Sequence, residues 1–297
     1  MNASFAAQLE TARRGIETFL GLPDVVGLAE RAALAGLTPD RTAALLDTAI
    51  QLRAPSPSWE PAWKTLADQR ALLVRWMLAL AARRSLDLLP GAAVTEEVRQ
   101  LTLRACAAVI DVQLVRDEWL QIDSREFRQQ AETALLRRFV AGQVHWNVAG
   151  IPRSWLLRMS WRDALRCTAV MWRMGGHAPC FEAHLPSTPV LIQREYERAY
   201  RRIAASMELQ PAIRALIGVS WLHAEETIRI SPHLDWINRL FLDHGGLLVH
   251  LGEAPADSGF LTGSQRRKEL YDSGAYRPRI AMFVWPRKEF LEWAQRP

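Results

Sequence analysis

From Pro179 to the C-terminus the chain alternates two hydrophobic periods, and that alternation restricts the fold more than any other feature. Cys180–Leu185 alternates polar and apolar residues, and Ile213–Leu222 and Leu247–Leu251 are short β-branched or leucine-rich runs. Between them lie stretches of helical period, 191–208, 231–244 and 262–273, and the chain closes with a run at Pro278–Trp285 and a last helix at 287–294. Strand, helix, strand, helix in this order predicts a parallel or mixed sheet with helices packed on it. The fold class expected is therefore α+β or α/β, with a mixed sheet after an all-helical first region.

The first region, residues 1–140, reads as helices throughout. Phe5, Leu9, Ile16 and Leu20 mark one stripe. Thr38-Pro39-Asp40 is read as a helix start with Thr38 as cap, and the prolines within 54–59 as a break. A long helix is expected from Glu60 to Leu88, another from Thr95 through Leu114, and a last one from the Asp123–Glu126 capping box to about Val140. No paired histidine, Cys-x-x-Cys or glycine-rich loop occurs there. It is read as a packing layer or lid with a possible role in self-association, and 141–297 as the α/β domain that carries the site.

The chemistry-bearing residues are unevenly distributed. All seven histidines lie between His145 and His250, and the four tyrosines and eight of the twelve tryptophans also follow residue 144. Two segments concentrate them. Gln143, His145 and Asn147 alternate with Val144, Trp146 and Val148; Cys180, Glu182 and His184 alternate with Phe181, Ala183 and Leu185. Residues two apart on a strand share a face, so each segment presents a polar row. His145, Glu182 and His184 are the candidate catalytic groups, with His184 or His145 as base and its partner on another strand. With Cys180 the same residues could also make a metal site, although no metal-binding motif is present.

Open sheets bind ligands beyond the carboxyl ends of their strands. The expected strand ends are at His184, at Trp221–His223 and at Trp285–Arg287, and Trp155–Met159 is read as a further strand. Arg153, Ser154, Arg194, Tyr200, Ser220, Trp221 and Arg287 are accordingly the candidate substrate-binding residues. The arginines suit an anionic group.

The order of elements after Pro179 resembles the C-terminal half of the acyl-CoA-dependent N-acetyltransferase fold. The likeness covers topology alone. The Arg/Gln-x-x-Gly-x-Gly/Ala loop that holds pyrophosphate in that family is missing after His184, where Pro186-Ser187-Thr188-Pro189 stands instead. The resemblance implies acyl transfer as one option for the reaction.

Composition closes other routes. Over 297 residues, 49% are hydrophobic and 23% charged, enough for a sizeable core. The net charge of +5 comes from basic residues interleaved with acids, so the electrostatic footprint of a nucleic-acid binder is weak. No phosphate-binding loop and no Gly-x-Ser-x-Gly elbow occurs. No apolar run spans a membrane, and the N-terminus lacks the pattern of a secretory leader. Three widely spaced cysteines, Cys106, Cys167 and Cys180, suit a reducing compartment. The expectation is a cytoplasmic enzyme, a transferase among the options, acting on a small anionic or polar metabolite. No cofactor is specified, no membrane partner is expected, and a homo-oligomer remains open. The alternative is a partner-binding accessory protein that uses the helical half or an aromatic surface.

Overall fold

In a computed structural model, residues 2–52, 60–186, 191–254 and 264–296 are described. The expected break at 54–59 and the Ser187–Pro189 part of the proline loop lie outside them. The chain divides into two compact units, Met1–His145 with Leu185–Val190, and Trp146–His184 with Leu191–Pro297.

The first unit is helical: α1 (Ala3–Leu20), α2 (Pro23–Leu34), α3 (Thr42–Leu52), α4 (Glu60–Thr65), α5 (Arg70–Leu88), α6 (Glu96–Ala108) and α7 (Arg125–Ala134), ending in the short strand β1 (Arg138–Val140). α5 is buried along Leu73, Val74, Trp76, Met77, Leu78, Ala81 and Leu86, on every side of the helix. A helix apolar all round takes the centre of its bundle, and α1, α2, α3, α6 and α7 surround it. Inside it Arg75 is 2% exposed and donates to the Val109 and Val115 carbonyls, both at 2.7 Å, and to Asp117 at 2.6 Å.

Several expected boundaries shift. Thr38 makes no side-chain cap; a single 3₁₀ turn at Pro39–Arg41 intervenes before α3. The expected helix from Glu60 to Leu88 is divided by a 3₁₀ turn at Ala67–Gln69. α6 stops at Ala108, well short of Leu114. In the capping box the cap is Ser124, which accepts from Phe127 N at 2.9 Å. The helix it opens does not reach Val140: Leu136 takes a left-handed φ of 52°, which ends the helical ladder and lets the chain leave as β1.

The remaining elements are β2 (His145–Ala149), α8 (Arg153–Leu156), α9 (Trp161–Arg173), β3 (Cys180–His184), α10 (Gln193–Glu208), β4 (Ala215–Ser220), α11 (Glu225–Ile230), α12 (Asp235–Leu242), β5 (Leu247–Glu253), α13 (Gln265–Asp272), β6 (Arg279–Pro286) and α14 (Arg287–Ala294). The sheet is mixed and six-stranded, in the order β1-β2-β3-β4-β6-β5, as the alternating pattern predicts. β3 and β4 are parallel, with Phe181 opposite Leu216 and Ala183 opposite Gly218. β6 runs antiparallel to both its neighbours. Trp155–Met159 is not a strand: Arg153–Leu156 is a short helix, begun by Pro152 at the cap position. A helix between Trp221 and Ser231, α11, was not expected at all.

Both faces of the sheet are covered. On one, Ala215, Ile217, Val249, Met282 and Val284 meet Cys167, Val170 and Met171 of α9. On the other, Tyr200 of α10 sits among the rings of Phe283, Trp285 and Phe290. Gly218 serves that second face. A Cβ there would lie 2.3 Å from Phe283 Cε1, so the ring of Phe283 occupies the space a side chain would need. The ring stacks on Phe241 with centroids 4.7 Å apart.

Candidate functional site

Alternation along β2 and β3 sets the site. Register places Glu182 opposite Ile217, so Glu182 and His184 project on the α9 side of the sheet, while Phe181 turns to the other side and meets Trp146 with centroids 3.9 Å apart. Asn147 is offset by one from Trp146, and its Oδ1 hydrogen-bonds His184 Nε2 across the strands. Glu182 Oε2 lies 4.0 Å from the same nitrogen. The cross-strand partner expected for His184 is thus Asn147, a member of the first polar row.

The amide orientation is set by Asn147 Nδ2, which reaches the Val148 carbonyl at 3.4 Å. With Oδ1 towards the imidazole as acceptor, the tautomer that makes this bond carries its hydrogen on Nε2 and its ring lone pair on Nδ1. The side chains of His184 and Glu182 are 25% and 21% exposed, enough to be reached by a ligand while partly withdrawn from solvent.

His145 belongs to the first unit. Burial, reinforced by the charge of Arg138, pushes its pKa down to about 4. Its Nδ1 is buried with no hydrogen-bond partner among the described residues. Such a ring is neutral near pH 7 and a weak base. Cys180 is buried, and burial pushes its thiol up to about 11, where it is a protonated core group rather than a thiolate. Among the described residues no three His, Cys, Asp or Glu side chains are grouped to hold a metal ion.

Because β3 and β4 are parallel, His184 and Ser220 end at the same edge of the sheet. Ser220 Oγ accepts from Leu222 N at 3.1 Å, and Trp221 lies beneath the Arg267 guanidinium, 4.8 Å from the ring centroid. The start of β6 reaches the same edge, since Ala281 pairs with Ser220. There Arg279 donates through Nε and Nη2 to Glu226 Oε1 at 2.7 and 2.5 Å. Burial is the largest single influence and opposes ionisation of Glu226, but the Arg279 hydrogen bond, a backbone hydrogen bond and the charges of Arg279 and His250 together outweigh it and hold the carboxyl below its ordinary value. Glu226 Oε2 is buried with no hydrogen-bond partner among the described residues. Sequence reasoning missed Glu226 and Arg279, which stand 53 residues apart in the chain and carry no motif.

The other candidates are dispersed. Arg287 is removed from this edge, because β6 is antiparallel and Pro286 pairs with Ala215 at the opposite end of β4. Arg287 Nη1 there donates to the carbonyls of Met207, Gln210 and Ile213, so its charge serves the end of α10. Tyr200 is 4% exposed within the aromatic cluster. Arg153, Ser154 and Arg194 are exposed on α8 and α10. His223 is not at an open mouth: it is 6% exposed, and its Nδ1 meets Asn238 Oδ1 at 2.9 Å.

The fold and this edge together define an α+β protein with a polar cluster where two parallel strands end. No protein-family profile matches the chain, and no curated protein does. Among solved structures it is similar to one described as the crystal structure of acyltransferase in complex with decanoyl-CoA and teicoplanin, at 14% identity and a TM-score of 0.49, over 92% of this chain and 87% of that one.

Proposed function

We propose that the second unit is a small-molecule enzyme, a group transferase, whose site lies where β3 and β4 end. One observation carries this reading: the imidazole of His184, half-buried beside Glu182 and oriented by Asn147, stands at the carboxyl end of a parallel strand pair, where ligands of open sheets bind. In this reading the basic nitrogen of His184 takes the proton of an attacking hydroxyl or amine, Glu182 stabilises the imidazolium that results, and the imidazolium returns that proton to the donor's leaving group as its bond to the transferred group breaks. Arg267, over Trp221, and Arg279, paired with Glu226, stand at this edge in place of Arg287 as the cations nearest an anionic substrate.

The test uses a panel of small carboxylates, phosphates and acyl thioesters, scored by ligand-induced thermal stabilisation and then by turnover. A compound should stabilise the wild type, and His184→Gln should lower turnover by about 100-fold, the usual worth of a general base, with the melting temperature unchanged. Equal turnover in wild type and His184→Gln would remove His184 from the chemistry.

A further inference from the structure

α9 has three faces rather than two. Cys167, Val170 and Met171 face the sheet; at 100° per residue they span about 100° of the helix. Trp161, Leu165 and Trp172 fall within about 40° of one another on a different side, and there they are 69%, 62% and 83% exposed. Arg162, Arg166 and Arg173 occupy a further arc of about 40° between these two, all exposed. Arg162 lies 5.3 Å from the centroid of the Trp161 ring. Just before the helix, Leu157 is 88% exposed.

Exposed tryptophan and leucine in one stripe, flanked by guanidinium groups, is the composition of a helix that lies in the plane of a lipid interface. From Arg153 to Arg173 the chain holds five arginines and a single acid, Asp163. Asp163 is 14% exposed and is engaged with Arg166. Arg173 also lines a cavity of about 470 Å³ with Arg214, Arg287, Lys288 and Glu289, four cations to one acid. The helix's cationic flank therefore runs into a basic hollow large enough for a phosphate headgroup.

We propose that α9 and the adjoining basic cavity form a docking face for an anionic lipid surface. Trp161, Leu165 and Trp172 enter the boundary between headgroups and acyl chains, and the arginines and the cavity take the headgroups. A second copy of the chain is a poor occupant, since a two-fold contact would set the same five arginines against each other. Among the described residues no helix is long and apolar enough to cross a membrane. A helix lying in the interface leaves no such signature, which is why the sequence led to the expectation of no membrane partner. The inference is independent of the His184 site.

The experiment is co-sedimentation of the full chain with phosphatidylglycerol–phosphatidylcholine vesicles and with pure phosphatidylcholine vesicles, across a range of salt. Binding is expected to the anionic vesicles alone and to weaken as salt rises. Trp161→Ser combined with Trp172→Ser should lower the partition constant by about tenfold or more. Arg162→Gln, Arg166→Gln and Arg173→Gln together should remove the preference for anionic lipid. These side chains are exposed, so the melting temperature of each variant is expected to match the wild type and serves as the control for folding. The proposal is overturned by absence of vesicle binding, by equal binding to both vesicle types, or by binding that both sets of variants leave intact. It is overturned too if inorganic phosphate binds the cavity, or the chain self-associates through α9, while vesicles do not bind.

Discussion

Replacing Gly218 by Ala tests the packing that places β3, β4 and β6 side by side. The new Cβ would stand 2.3, 2.8 and 3.2 Å from Phe283 Cε1, Cζ and Cδ1. All three are below ordinary carbon–carbon contact, so the Phe283 ring must withdraw by roughly 1 Å or more to restore van der Waals separation. It has little room, being 1% exposed, stacked on Phe241 and edge-on to His223 at 5.1 Å. Overpacking of this kind costs roughly 1–3 kcal/mol, and complete expulsion of the ring would approach the roughly 3–5 kcal/mol of deleting it. A loss of about 2–3 kcal/mol follows, equivalent to a fall in melting temperature of about 5–10 °C for a unit of this size. Urea denaturation followed by circular dichroism measures it. The double variant Gly218→Ala with Phe283→Leu should cost less than the sum of the two single changes, because the clash is absent in it. If Gly218→Ala changes stability by less than about 0.5 kcal/mol, or if the double variant is simply additive, the argument from the Phe283 ring fails.

Two further predictions concern buried polar groups. Burial, partly offset by the Asn238 hydrogen bond, holds His223 down to about 4 from 6.5; the stability of the neutral ring is therefore fully present above pH 6.5 and is lost as pH falls towards 4, amounting to roughly 3 kcal/mol. His223→Gln should flatten the stability–pH curve between those values, and an unchanged slope would remove His223 as the cause. Arg75→Met leaves the Val109 and Val115 carbonyls without their donor and should cost about 3 kcal/mol. Asp117→Asn should cost under about 1 kcal/mol, because Asp117 is 63% exposed; a larger effect there than at Arg75 would invert the assignment.

The legible part of the candidate site was its local part. Cys180–His184 and His145–Ala149 announced themselves by alternation, and the structure brings Asn147 of one to His184 of the other. Their facing follows from period two, which is a property of any strand. Arg287 was misplaced for the complementary reason. Its position at a strand end was read correctly, but the edge of the sheet on which that end falls depends on strand direction, and β6 is antiparallel to β4. Glu226 and Arg279 could not be paired in advance, since nothing in either neighbourhood refers to the other.

Hydrophobic periodicity and capping chemistry alone determined that a helical first half precedes alternating strands and helices, and that Thr95 starts α6. Those signals act over one or two turns of chain, so the sequence carries them intact. Tertiary structure alone decided that Leu136 ends α7 and releases β1, that Leu165 faces outward, and that β6 lies between β4 and β5. Each of those outcomes depends on which distant surface claims the residue first, and local period is blind to that competition.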